Sequence, residues 1–137
     1  MIPLFVYGTL MSGQRGNYLL KNCKFLGPVK TTKNYKLYSK ISYPCMVIDY
    51  HEPNSIWGEL YLVDIYTLKV LNEYEGVDVG LYALSVIELE DNILKNQKID
   101  VASHYCMSYI YLGDFTHLQV IDQWRGESKS EYRENRL

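Results

Sequence analysis

Apolar and polar positions along the chain repeat with a period near two through most of its length and near 3.6 in one stretch. Residues 2–7 form an apolar run that predicts a buried strand, broken at once by Gly8. Residues 23–40 have strand texture, with Phe25, Leu26, Val29, Tyr35, Leu37 and Tyr38 interrupted at Gly27-Pro28 and near Lys33-Asn34. Tyr43-Pro44 predicts a loop, 45–49 a short strand, and His51-Glu52-Pro53-Asn54 a turn. In 55–63 the residues Ile56, Gly58, Leu60 and Leu62 alternate with Trp57, Glu59, Tyr61 and Val63. Both sets are largely apolar, which predicts an interior strand of a closed or covered sheet. Strand pattern resumes over 82–89, a polar hairpin loop follows at 90–97, and 99–112 reads as a long tyrosine-rich strand ended by Gly113-Asp114. A last ordered piece is expected near 117–124. From Arg125 onward charged and small polar residues dominate, so the expected organisation is one domain over 1–124 and a flexible tail over 125–137.

The 3.6-residue stretch lies between Asp64, a good N-cap, and Gly76, a good C-terminal stop. Ile65, Leu68 and Leu71 make its apolar stripe, and Glu75, seven positions after Leu68, returns to within ~20° of that residue. Glu75 is therefore expected to face inward and Glu73 to face water. A carboxylate there is penalised by desolvation and by the negative end of the helix dipole, and both raise its pKa toward the range useful for moving protons. A frayed last turn with Glu75 in solvent satisfies the same periodicity.

Strands outnumber helices, and the second helical candidate, 17–22, is short. The pattern predicts an α+β, mostly β fold: a small closed or nearly closed β-barrel with one or two short flanking helices. Fourteen tyrosines suit pleated, half-buried surfaces. At 137 residues, 47% hydrophobic and 22% charged, the chain is long enough for one core. It holds no apolar run near the ~18 residues of a membrane span, and without a leader pattern a cytoplasmic address is expected. Cys23, Cys45 and Cys106 have neither disulfide-framework nor zinc-site spacing and read as buried thiols.

Charge is unevenly placed. The first 48 residues carry seven cations (Arg15, Lys21, Lys24, Lys30, Lys33, Lys36, Lys40) and no acid, and all 16 acids follow. Loops of this segment gathered at a pocket mouth would attract a carboxylate-bearing substrate; pairing of basic with acidic strands would cancel the field instead. Gly8 opens a turn in which the amides of Thr9 and Leu10 are free to face an anion or a carbonyl oxygen, or simply to turn the chain. Glycines at 8, 13 and 16 do not make a phosphate loop, because Gln14 and Arg15 stand where Lys and Ser/Thr are required.

The segments Phe5-Val6-Tyr7-Gly8-Thr9-Leu10-Met11-Ser12-Gly13-Gln14, Gly58-Glu59-Leu60-Tyr61, Leu71-Asn72-Glu73-Tyr74-Glu75-Gly76 with Tyr82, and Tyr111-Leu112-Gly113-Asp114-Phe115 resemble, in this order, the γ-glutamylcyclotransferase-like superfamily. Within it they are most similar to the γ-glutamylamine cyclotransferase and AIG2-like branch. The resemblance implies a pocketed barrel in which the turn at Tyr7, Gly8, Thr9 and Leu10 binds a γ-glutamyl group through backbone amides. The catalytic glutamate falls on Glu75, and Tyr82 lines the pocket or packs the core. It further implies an enzyme that releases 5-oxoproline from a γ-glutamyl amine or dipeptide with no metal and no cofactor. Two positions depart from the family pattern: Asn72 stands where Asp is common, and Leu84 where Arg is frequent.

Other classes have weaker support. For a Cys–His pair, Cys106 and His104 share one face of a strand two positions apart, and Cys23, Cys45, His51 and His117 show no nucleophile signature. The basic stretch 21–40, interleaved with Phe25, Tyr35 and Tyr38, suits a single-stranded nucleic-acid module, but the acidic balance, pI about 5.9, argues against it. A barrel that binds a small metabolite without turnover is the remaining alternative. The expected partner is a small γ-glutamyl molecule, with no nucleic acid or membrane.

Overall fold

The computed structural model describes residues 1–90 and 104–126. Eight strands, β1 (Ile2–Val6), β2 (Lys24–Lys30), β3 (Tyr35–Lys40), β4 (Tyr43–Ile48), β5 (Trp57–Val63), β6 (Tyr82–Glu88), β7 (Tyr105–Tyr111) and β8 (Gln119–Ile121), accompany one α-helix, α1 (Ile65–Tyr74), and a 3-10 turn at Asn17–Leu20. They form a five-stranded sheet in the order β2-β5-β1-β7-β6 and a three-stranded sheet in the order β4-β3-β8. β1 lies at the centre of the larger sheet, antiparallel to β5 and parallel to β7. No helix among the described residues is long and apolar enough to cross a membrane.

The α+β, mostly β expectation holds, whereas the closed barrel is replaced by two sheets. The edge strands of the larger sheet, β2 and β6, approach each other just beyond their ends. One bridge joins Thr31 to Leu89, with hydrogen bonds from Thr32 N to Glu88 O at 3.0 Å and from Glu90 N to Lys30 O at 2.8 Å. No ladder runs between them among the described residues. β2 cannot supply one easily: its register shifts between Phe25 and Gly27, the latter at φ 125°, and Pro28 has no N–H to offer.

Tyr43-Pro44, expected as a loop, begins β4. Proline is tolerated because β4 is an edge strand of the smaller sheet, where a missing donor costs no ladder bond. The reversal falls instead at Ile41-Ser42, with Ile41 at φ 37°. The hairpin loop expected at 90–97, the first part of the long strand expected at 99–112, and the tail from 127 lie outside the described residues.

Alternation along the strands divides the core in two. Leu4 and Val6 of β1, with Tyr61 and Val63 of β5, join Leu68 and Leu71 of α1 in one cluster. Phe5 and Tyr7, with Leu60 and Ile56, join Leu37 and Met46 in the other. Both faces of β1 and β5 are thereby covered, as the apolar pattern of 55–63 requires.

Gly58 marks the closest approach. A Cβ there would collide with the carbonyl oxygen of Val6 and stand 2.6 Å from the Phe5 ring. Backbone in the neighbouring strand cannot yield without losing the β1–β5 ladder. We expect Gly58→Ala to cost ~2–3 kcal/mol, read as a lower urea midpoint at unchanged slope.

Candidate active site

α1 starts and stops as its sequence dictates. Thr67 N donates to Asp64 Oδ1 at 2.7 Å, the N-cap bond. At the other end Gly76 N donates to Glu73 O at 3.1 Å and Val77 N to Asn72 O at 3.0 Å, with Gly76 at φ 70°. This paired closure holds Glu75 as an ordered C-cap residue and excludes the frayed last turn. Glu75 is half-buried and turned inward, while Glu73 is exposed.

Glu75 borders a small cavity of about 20 Å³ that opens to solvent, lined also by Phe5, Val6, Tyr7, Gly8, Thr9, Leu10, Tyr43, Pro44, Tyr82 and Tyr109. Every residue singled out from the sequence (Tyr7, Gly8, Thr9, Leu10, Glu75 and Tyr82) meets here. Among these lining residues the carboxylate is the only ionisable acid other than phenols. Burial pushes its pKa up to about 7. No hydrogen-bond partner for it is found among the described residues, so keeping it ionised costs on the order of 3 kcal/mol relative to a solvated glutamate.

Facing it is the turn after β1. Its own closure uses Met11 N to Gly8 O at 3.0 Å and Gly16 N to Thr9 O at 2.8 Å. For the amides of Gly8, Thr9 and Leu10, all three residues being buried, no acceptor is found among the described residues. Buried N–H groups are ordinarily paired, and three successive donors without acceptors are the arrangement that an anion or a carbonyl oxygen would need. Gly8 is required because a Cβ would stand 2.5 Å from Cγ of Pro44.

The turn is braced by residues that the sequence did not single out. Tyr74 OH donates to Thr9 Oγ1 at 2.8 Å, tying the end of α1 to the amide turn, and Gly16 lacks the Cβ that would meet that hydroxyl at 2.6 Å. Ser12 N donates to Glu59 Oε1 at 2.7 Å, and Asn17 Nδ2 to Leu10 O at 2.8 Å. Apart from the Asn17–Leu10 bond, seven positions long, these contacts join residues tens of positions apart, and nothing in the local pattern signals them. Tyr43, Pro44 and Tyr109, also cavity walls, were hidden for the same reason.

The tyrosine hydroxyls are already committed. Tyr7 OH donates to Tyr109 O at 2.6 Å and Tyr82 OH to Pro44 O at 2.6 Å, and burial raises the pKa of both phenols. They act as walls that link β1 and β6 to their neighbours. Tyr109 OH donates to Asn72 Oδ1 at 2.7 Å. An amide at position 72 accepts that bond without adding a second charge one helical turn from Glu75. Leu84 is half-buried and packs on the core, so β6 carries no cation there.

Rival constellations do not assemble. Burial pushes the Cys45 thiol up to about 11 and the Cys106 thiol up to about 12, far from a reactive thiolate, and His104 is exposed outside β7. Among the described residues no three His, Cys, Asp or Glu side chains converge as a metal site would need. Tyr35 and Tyr38 are buried, which removes them as stacking platforms for bases, while Phe25 is exposed with its ring 5.1 Å from that of Tyr61.

Comparison with known proteins agrees with the geometry. The family model described as "Gamma-glutamyl cyclotransferase, AIG2-like" matches residues 4–134. The chain belongs to this family. A Vibrio cholerae protein named "Putative gamma-glutamylcyclotransferase" is 41% identical over 76 residues, 56% of this chain and 64% of that protein. A Methanocaldococcus jannaschii protein also named as a "Putative gamma-glutamylcyclotransferase" is 40% identical over 74 residues, 53% of this chain and 60% of that protein. The matched stretches thus span under two thirds of these relatives' lengths. The crystal structure of an AIG2-like protein from Mus musculus superposes with TM-score 0.69 at 21% identity, covering 91% of this chain and 88% of that one. This last likeness speaks for the fold. The AIG2-like match runs past residue 115, where the sequence motifs end.

Glu75 makes stability depend on pH in a defined direction. Its folded pKa, about 7, lies above the ordinary value of 4.5, so its protonated form favours the native state below pH 4.5 and that contribution disappears as pH rises through 7. Glu75→Gln should match the wild type at pH 4 and exceed it by up to ~3 kcal/mol at pH 8 in urea unfolding. An equal difference at both pH values would contradict the burial of this carboxylate.

Proposed function

We propose that this AIG2-like protein is a γ-glutamylcyclotransferase-type enzyme that releases 5-oxoproline from a γ-glutamyl amine or dipeptide. One observation carries the reading: a buried carboxylate with pKa about 7 shares a small cavity with three successive backbone N–H groups that lack acceptors. The first can exchange protons near neutral pH; the second can stabilise an oxyanion.

In the reaction the Glu75 carboxylate takes a proton from the substrate's α-ammonium. The freed lone pair attacks the side-chain carbonyl carbon, the ring C–N bond forms, and the carbonyl electrons move onto oxygen beside the amides of Gly8, Thr9 and Leu10. Collapse of this adduct breaks the bond to the leaving nitrogen, which receives its proton from Glu75. A second proton passes from the ring nitrogen to the departing amine, directly or through Glu75. Three hydrogens on one nitrogen and one on the other become one and three, so the reaction consumes no external acid or base.

Tethering of the reacting atoms supplies much of the acceleration, since a five-membered ring closes without bringing two molecules together. The protein's part is to select the folded conformer, exclude water and move protons. Tyr7, Tyr82 and Tyr109, with hydroxyls committed elsewhere, supply the apolar, shape-defining walls.

Incubation with a panel of γ-glutamyl amines and dipeptides should yield 5-oxoproline. kcat/KM should rise with pH and level off above an apparent pKa near 7, because the first proton transfer needs the carboxylate. Glu75→Gln should lower kcat by ~100-fold or more while retaining ligand binding, and the exposed Glu73→Gln should change little. Greater damage from the Glu73 change, or full activity without the Glu75 carboxylate, would refute this assignment.

A further inference from the structure

Of the eleven residues lining the cavity, only Tyr43 and Glu75 are partly exposed; the others are buried. The mouth therefore lies between the side chain that moves protons and the first residue of β4. Tyr43 is cross-strand partner to Lys40 in the β3–β4 hairpin. Lys40 Nζ stands 5.7 Å from the centroids of both the Tyr43 and Tyr111 rings and 3.3 Å from Tyr111 OH. The two rings and hydrogen bonds to the Tyr111 and Tyr43 hydroxyls hold the ammonium beside the mouth, and one of its three N–H donors remains available.

Ion pairs distinguish this lysine from Lys30 and Lys36. Lys36 lies 3.1 Å from Glu52 and Lys30 lies 3.9 Å from Glu90, so those cations are compensated by acids. Lys40 has no carboxylate partner among the described residues and is exposed to solvent. Arg15 reaches the same hairpin, donating from NH2 to Ser42 O at 2.7 Å.

We propose that Lys40 is the specificity-determining cation of this site, favouring γ-glutamyl substrates whose leaving amine carries a carboxylate, namely γ-glutamyl amino acids, over simple or cationic amines. The proposal rests on the cyclotransferase reading. With the γ-glutamyl carbonyl at the Gly8–Leu10 amides and the leaving nitrogen within reach of Glu75, the leaving group's substituent projects through the mouth toward Tyr43 and Lys40. A carboxylate on its α-carbon gains an ion pair at the exposed rim, and an ammonium there is repelled.

γ-Glutamyl-alanine and γ-glutamyl-ethylamide differ at this point by the carboxylate alone. 5-Oxoproline release from each should give a kcat/KM ratio of roughly 10 or more in favour of the alanine compound, expressed mainly in KM and narrowed by high salt. Lys40→Met, which keeps the stem and removes the charge, should bring the ratio near one, and Lys40→Arg should restore most of it. A ratio near one in the wild type, or an unchanged ratio in Lys40→Met, overturns the proposal. If neither compound is turned over, the cyclotransferase reading fails, and calorimetric binding of the same two compounds decides on Lys40. Preferential binding of γ-glutamyl-alanine that Lys40→Met abolishes upholds the carboxylate site; equal binding, or none, sinks it.

Discussion

Buried phenol hydroxyls hold the two sheets in the relation that the cavity needs, that of Tyr7 and, bonded to Pro44 O, that of Tyr82. Tyr7 OH donates to Tyr109 O on β7 at 2.6 Å and receives Met46 N of β4 at 3.4 Å, so one side chain joins β1, β7 and the smaller sheet. Its burial makes the arrangement strict, since an unmade bond there would leave polar groups without water. The neighbouring residue, Gly8, is thereby pressed against Pro44, and lack of a Cβ lets the backbone approach. The turn that follows has little freedom left and forms one wall of the cavity.

Glu75 shows what that space demands of a side chain. It gains no hydrogen bond among the described residues, sits at the negative end of α1, and is desolvated enough to titrate near 7. Such a group weakens the fold at neutral pH, and the surrounding structure over-determines its place. The glycine-terminated closure of α1 fixes the backbone, Tyr74 fixes the helix end to Thr9, and Tyr109 fixes the preceding turn through Asn72. Stability from these contacts offsets a carboxylate kept where its proton is mobile.

Alternating apolar residues determined β1, β5 and β6, and the caps at Asp64 and Gly76 determined α1. The inward phase of Glu75 was legible too, because helical phase is local and a single apolar stripe fixes it. Sequence motifs likewise brought out the family and the Tyr7 to Leu10 turn. The fate of the N-terminal cations was open: Lys30, Lys36 and Lys40 look alike along the chain and differ only in which acids come near in space.

Tertiary structure decided what local pattern could not carry. Ring closure depends on whether two edge strands far apart in sequence can exchange hydrogen bonds, and Pro28 with the bulge before it kept β2 from doing so along its length. Tyr43-Pro44 reads locally as a break, yet an edge position let it start a strand and become a cavity wall. The clamp of Tyr74 on Thr9 spans 65 residues and the Tyr7 bond to β7 spans 102. Phase and caps are set by neighbours within one turn; walls, clamps and the charge at the mouth are set by which strands finally lie side by side.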